Sequence, residues 1–298
     1  MKKIRNILIC GLGAIGGYYA SVIENHSSFN LKILVDKVRL NKYQAEPRII
    51  NGKIYNFDYI TPDYDNFKAD LIIIATKSSG LENAIKNIKN FVDNSTIILS
   101  FLNGISSEKR IAKYYGEDKV LYSFLLGHTF FRSDKNITHD GQATIYFGHP
   151  QLNQKIEQVK NCFEELNISY NIPTDILNSM WNKFCFNCCA NQISAITRMT
   201  FGEMINSKKC KELIKNICNE VSIIAKKEGI QDTDKFFENT LNSFKLMIPD
   251  GKTSMLQDIE AGIKPETDIF GKTIVSMGGK YSISTPYNKV ISDIIELL

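Results

Sequence analysis

No apolar run in the 298-residue chain reaches the roughly 20 residues that a membrane-spanning helix needs, which argues against a spanning segment in it. Nor is charge of one sign in excess: 36 Lys and Arg stand against 32 Asp and Glu, a net of +4. That balance leaves no electrostatic footprint for nucleic acid or for an anionic membrane, and neither is expected as a partner. Internal repeats and long linkers rich in proline, glycine or serine are missing too. Histidine is scarce. His26, His128, His139 and His149 are scattered, form no cluster, and none is assigned to catalysis. The seven cysteines are Cys10, Cys162, Cys185, Cys188, Cys189, Cys210 and Cys218, an odd set. Cys185 and Cys188 lack the second pair or nearby histidine that would complete a metal site, so no metal is expected and these cysteines read as packing. The set fits a reducing, cytoplasmic setting.

What is there is ordinary soluble material, 43% hydrophobic and 23% charged, long enough for two domains with real cores. The start, Met1-Lys-Lys-Ile-Arg-Asn followed by Ile7–Ile9, resembles a signal peptide. Glycines at 11, 13, 16 and 17 interrupt it early and no small-x-small cleavage site follows, so a strand, a turn and a helix are expected instead.

Up to about residue 150 the chain alternates β-branched runs with helical patterns. Strands are expected at 4–10, 32–35, 71–75, 96–101 and 120–125, helices at 81–91 and 107–115. An antiparallel strand at 145–148 and a helix at 154–165 complete this region. The alternation predicts a parallel sheet covered on both faces. At Ile172-Pro173-Thr174 the texture becomes helical and stays so to Leu298, with Pro286 opening the last helix. The predicted fold class is therefore α/β, a Rossmann-type doubly wound sheet over residues 1–172 followed by an all-α domain over 173–298.

Gly11-Leu-Gly13-Ala-Ile-Gly16 is a GxGxxG turn after a strand and before a helix, the context that gives the motif meaning. Gly11 makes the turn, Gly13 admits a pyrophosphate, and Gly16 lets helix and strand pack closely. The backbone N–H groups of Ala14 and Ile15 would face the phosphates at the positive end of the helix dipole. Asp36 lies about 20 residues further on, where an acid accepts a hydrogen bond from the adenosine ribose. The turn alone implies a nicotinamide or flavin nucleotide. Lys77 and Asn103 follow two later strands, where ligands of open α/β sheets bind, although Asn103-Gly104 is also a common turn dipeptide.

In the second half the segment 175–197 carries Lys183, Asn187 and Asn191 at i, i+4 and i+8 beside a broad apolar arc. Each step turns about 40°, so the row runs from the edge of the arc into it. Two readings stand side by side: a helix edge whose amides bond neighbouring backbone, and a cleft wall that binds substrate.

At these residues the sequence resembles the ketopantoate reductase (2-dehydropantoate 2-reductase) family over nearly its whole length. The likeness rests on GLGAIGG, Thr76-Lys77, Leu102-Asn103-Gly104, Trp181–Asn191, Ser254-Met-Leu-Gln-Asp258 and Glu266-Thr-Asp268. It implies reduction of a 2-oxo acid to a 2-hydroxy acid with NADPH, in pantothenate biosynthesis, with the active site between the two domains. A homodimer is left open by it. Carried over by motif, Lys183 looks like the general acid and Glu266 like its partner or the substrate's. Asn103, Asn187, Asn191 and Ser254 look like substrate-holding groups, and Lys77 and Asn103 like cofactor-side residues. Ser254-x-x-Gln257 also has the form of a capping box, which would make Ser254 a helix start.

Two departures matter. Where the family commonly has an Arg for the 2′-phosphate of NADPH, this chain has Asp36, which favours a free ribose hydroxyl and hence NADH; Lys37 and Arg39 stand close behind. The stretch Glu266-Thr-Asp268-Ile-Phe-Gly271 differs from the family's usual Glu-Ile-Asp with a following Asn-Gly, which marks a divergent member. A paralogue acting on another 2-oxo acid and a non-catalytic dinucleotide sensor are the rival readings.

Overall fold

Runs such as Ile7-Leu-Ile-Cys10 and Leu71-Ile-Ile-Ile74 are apolar at every position, and a strand of that kind must be covered on both faces. The structure, a computed structural model, describes residues 2–127, 130–141 and 143–298; His128 lies outside them. They divide into two compact units, one made of 2–102 and 106–176, the other of 103–105 and 177–298.

The first unit runs β1 (Asn6–Cys10), α1 (Ala14–Glu24), β2 (Asn30–Leu34), α2 (Lys37–Ala45), β3 (Arg48–Ile50), β4 (Lys53–Tyr55), β5 (Tyr59–Ile60), β6 (Leu71–Ile74) and α3 (Leu81–Asn87). It continues through β7 (Ile97–Ser100), α4 (Ser107–Tyr115), β8 (Val120–Leu126), β9 (Phe130–Ser133), β10 (Asn136–His139), β11 (Thr144–Gly148), α5 (Asn153–Glu165) and β12 (Tyr170–Asn171). The main sheet has the order β12-β11-β8-β7-β6-β1-β2-β5. Every pairing from β5 to β8 is parallel, and β11 runs antiparallel to β8. From β5 to β8 this is the doubly wound dinucleotide-binding order, which reverses between β1 and β6.

Successive side chains of each strand enter opposite faces, as the pleat requires. Ile7, Ile9, Ile33, Leu71, Ile73 and Leu99 join one buried cluster, with Tyr19 and Ile23 of α1 and Val159 and Phe163 of α5. Leu8, Cys10, Leu34, Ile72, Ile74 and Ile98 join the other, with Leu81, Ala84 and Ile85 of α3 and Ile111 of α4. The expected helix over 81–91 is shorter, ending at Asn87 and giving way to a 3-10 turn at Lys89–Phe91.

A second sheet, ordered β4-β3-β10-β9, has no counterpart in the sequence reading. It packs on α1 through Gly17, where an added Cβ would lie 2.2 Å from Ile137 Cδ1. Its Arg48 is fully buried, with the guanidinium 4.1 Å from the Tyr43 ring centroid.

The start of β1 is fastened by Asp70, just before β6. Its carboxylate accepts from the backbone N–H groups of Arg5 and Asn6, each at 2.9 Å, and pairs with Lys2 Nζ at 2.7 Å. Burial pushes this carboxyl up, but the Asn6 and Arg5 N–H groups and the Lys2 ammonium outweigh it and hold it below the usual Asp range. A depressed folded-state value stabilises the fold above the unfolded pKa, about 3.9, and that stabilisation is lost as pH falls through the folded value. Asp70→Asn is expected to lower stability near neutrality by about 1–3 kcal/mol. The difference between the urea midpoints of wild type and variant should shrink below about pH 4; a difference unchanged down to strong acid would refute the assignment.

The second unit contains α6 (Ile176–Thr197), α7 (Phe201–Asn206), α8 (Lys208–Lys227), α9 (Phe236–Leu246), α10 (Ser254–Glu260), α11 (Gly271–Tyr281) and α12 (Pro286–Glu296). In α6 every residue from Asn187 to Ala195 is buried, as expected of a helix that neighbours cover all round. α8 supplies a cap to another helix: buried Glu220 accepts from the N–H groups of Tyr287 and Asn288 at 2.8 and 3.0 Å, at the positive start of α12. Among the described residues, no helix is long and apolar enough to cross a membrane.

Candidate functional site

The glycine turn follows β1 at the point where the strand order reverses. Gly11 has φ +105°, and a Cβ on it would lie 2.6 Å from Ala75 O, just past β6. A Cβ on Gly16 would lie 1.9 Å from Gly11 O. These two positions are closed to any side chain, which brings α1 down against β1 and β6. Gly13 is the opposite case, with nothing within 4 Å of where its Cβ would stand. It is the N-cap residue of α1, has no side-chain capping bond, and the first turn carries no acid. The N–H groups of Ala14 and Ile15 therefore lie at a positive helix end that no carboxylate of its own first turn offsets.

The backbone of Thr76 also meets this turn, while its Oγ1, beside Gly80, is buried with no hydrogen-bond partner among the described residues. Arg132 Nη1, on β9, donates to Leu12 O at 3.1 Å. An open cradle of backbone N–H groups and a nearby cation fit the diphosphate of a dinucleotide. Lys77 is exposed and caps the 3-10 turn Ser78–Gly80.

Asp36 is the N-cap residue of α2. Its Oδ1 accepts from Arg39 N at 2.7 Å and its Oδ2 from Arg39 Nη1 at 2.9 Å. Each carboxylate oxygen has a second lone pair, so these bonds leave acceptor capacity for a ribose hydroxyl. The side chain is 46% exposed, well within reach of a ligand.

The remaining candidates belong to the second unit. Lys183 on α6 is half-buried and donates from Nζ to Asn103 Oδ1 at 3.0 Å. The Asn103 loop turns at Gly104, φ +98°, where a Cβ would come within 3.3 Å of Ile269. Phe184, next to Lys183, stacks on Phe270 with centroids 6.5 Å apart. The half-buried Glu266 opens the short 3-10 turn Thr267–Ile269, and that turn and the residue after it, Phe270, make these contacts. The same segment thus packs against the neighbours of both Asn103 and Lys183.

Further along α6, Asn187 is 9% exposed and Asn191 5%. Asn191 Oδ1 accepts from Ser254 Oγ at 3.2 Å and from Met255 N at 3.3 Å. Its carbonyl is committed to the start of α10, as the helix-edge reading expects, and its NH2 group supplies the remaining donors. The cap of α10 falls one residue earlier than the S-x-x-Q pattern suggests. Thr253 accepts from Leu256 N, and Ser254 is the first helical residue, exposed. Gly271 is explained by packing: a Cβ there would lie 2.2 Å from both Gln192 Oε1 and Ser292 Oγ.

The histidines stand apart. His139 bonds Asn51 and Gly141 in the small sheet, and His149 stacks on Tyr122. Arg132 and Thr76 are the site residues that sequence reasoning did not single out for a role. Thr76 carried a signal in its place after β6; Arg132 carried none.

Comparison with known proteins bears on the family and the fold. The family described as "Ketopantoate reductase PanE/ApbA" matches residues 7–151, and its C-terminal counterpart, "Ketopantoate reductase PanE/ApbA C terminal", matches residues 175–298. The 2-dehydropantoate 2-reductase of Aquifex aeolicus is 25% identical over 301 residues, covering 98% of this chain and 96% of its own. Among solved structures, D-mandelate dehydrogenase in complex with NADH superposes with a TM-score of 0.86 at 21% identity, over 98% of each chain. The 2-dehydropantoate 2-reductase of Geobacter metallireducens gives 0.83 at 20% identity, over 98% of this chain and 99% of its own. At these identities the two structures show a shared fold.

Proposed function

The chain belongs to the ketopantoate reductase family and is an NAD(P)-dependent oxidoreductase, and from that premise we propose that it reduces 2-dehydropantoate to pantoate, a step of pantothenate biosynthesis. The observation that carries the reading is the Lys183–Asn103 hydrogen bond, which holds an ammonium in fixed orientation on a half-buried stretch of α6.

Bound NAD(P)H supplies a hydride to the carbonyl carbon of the substrate. Negative charge then develops on the carbonyl oxygen, and a preorganised cation stabilises it. Lys183 Nζ is that cation, and it passes its proton to the oxygen as general acid. Solvent reprotonates it. Asn103 fixes the ammonium, and Glu266 acts beside it as the group that orients Lys183 or a substrate hydroxyl. Asn187 and the NH2 group of Asn191 offer donors to the substrate carboxylate, and Ser254 Oγ, whose proton goes to Asn191 Oδ1, offers an acceptor to a substrate hydroxyl. Gly11, Gly13, Ala14, Ile15 and Gly16 would hold the dinucleotide's phosphates, Asp36 would accept from its adenosine ribose, and Lys77 would stand on the cofactor side.

Asp36 favours NADH. A 2′-phosphate would bring a second anion against this carboxylate, whose charge Arg39 offsets only in part. The free, buried cysteines suit a reducing cytoplasm.

Oxidation of NADH and NADPH should be followed across 2-oxo acids with branched, hydroxylated and aryl side chains. Fastest turnover is expected with ketopantoate and NADH; a preference for an aryl 2-oxo acid would instead support a mandelate-type paralogue. Asp36→Asn keeps an N-cap acceptor and is expected to shift the preference toward NADPH by about tenfold, some 1.4 kcal/mol. Absence of turnover on every 2-oxo acid would overturn the catalytic reading in favour of the sensor.

A further inference from the structure

Cys185 and Cys189 lie one turn apart on α6, which puts them on one face of that helix. α8 brings Cys218 against them, and the three Sγ atoms all lie within 4.8 Å of one another, with Cys189 and Cys218 at 3.5 Å. α9 adds Thr240, whose Oγ1 is 3.6 Å from Cys218 Sγ and 3.7 Å from Cys185 Sγ. None of the four residues is more than 1% exposed.

Four donor atoms on three helices define a small polyhedron, and its edges can be compared with what a metal demands. A tetrahedral ion with zinc–sulfur bonds of about 2.3 Å and a zinc–oxygen bond of about 2.1 Å needs S–S edges of about 3.8 Å and S–O edges of about 3.6 Å. The Thr240 edges to Cys218 and Cys185 already match, the Cys189–Cys218 edge of 3.5 Å has only to widen by a few tenths of an ångström, and all three sulfurs lie within 4.8 Å of one another. We propose that Cys185, Cys189, Cys218 and Thr240 form a closed structural site for a d10 cation of the zinc class, held by three thiolates and one hydroxyl oxygen.

Binding replaces three S–H bonds by three metal–sulfur bonds and releases three protons to solvent, with no change of oxidation state. A bound ion would tie α6, two residues beyond Lys183, to α8 and α9.

The test is anaerobic titration of the EDTA-treated full-length protein with cobalt(II) and, separately, cadmium(II), each equilibrated to constant absorbance because entry requires the helices to open. Expected is a sulfur-to-metal charge-transfer band that saturates at one equivalent, visible cobalt bands of four-coordinate intensity, and a raised Tm. Cys189→Ala and Cys218→Ala should each lose the band. Cys188→Ala, buried on the same helix but outside the cluster, should keep it. Thr240→Val should keep the charge-transfer band and change the visible cobalt spectrum. No band in wild type, or a band that persists in Cys189→Ala and Cys218→Ala, overturns the proposal. The wild-type result decides even if a variant fails to fold.

Discussion

Replacing Lys183 with Ala is expected to lower kcat by about 10²–10⁴-fold while leaving NADH affinity within about twofold of wild type. The size follows from what is removed: one proton donor and one fixed cation at the oxygen where charge develops. Lys183→Arg keeps the charge, yet it should recover little. A guanidinium does not release its proton near neutral pH, and its planar fork does not reproduce the Nζ–Asn103 geometry. One readout separates a chemical role from a structural one. Small primary amines should partly rescue Lys183→Ala and leave Lys183→Arg unaffected. A variant with near-wild-type kcat would refute the assignment of the general acid.

The contrast between Lys183 and Asp36 shows what a sequence does and does not reveal about a site. Lys183, Asn187 and Asn191 announce a common stripe because helical spacing is a local property. Their surroundings are not local. The reading of that stripe as running from the edge of an apolar arc into it missed that α6 is buried all round from Asn187 to Ala195, which depends on helices up to 100 residues away, as in the Ser292–Gln192 bond. Asp36 was visible as an acid after the second strand, but its capping of α2 was not, because the weakly apolar stretch after it gave no helical signal.

The main sheet was legible wherever a strand is covered on both faces, since β1, β6 and β7 are apolar at nearly every residue. The small sheet was not. β3 and β4 have three residues each, too few for a pattern to show, and β3 pairs with β10 across the register Ile49–Asn136, a contact no window of sequence contains. Arg132 rides on that sheet, which is why a residue touching the glycine turn went unnoticed. The neighbours of Cys218 were illegible for the same reason: they lie on other helices.

A pair of substitutions in the glycine turn should separate folding from cofactor binding. Gly16→Ala places a methyl 1.9 Å from Gly11 O, and neither side can give way. Gly11 is itself wedged against the backbone of Ala75 and Thr76, and Gly16 belongs to a helix whose next residue, Gly17, abuts Ile137. Relief therefore requires α1 to move off the sheet, at a cost of about 3 kcal/mol. NADH affinity should fall with it, because the cradle moves too. Gly13→Ala is the converse. Its methyl enters open space, so Tm should stay near wild type, with a change of less than about 1 kcal/mol. That open space is where a pyrophosphate must approach the backbone, and NADH affinity is expected to fall by at least about tenfold. Calorimetry with NADH and a thermal melt on each variant decide the matter. Wild-type NADH affinity in Gly13→Ala would show that the dinucleotide does not lie over this turn, whatever Gly16→Ala does to the fold.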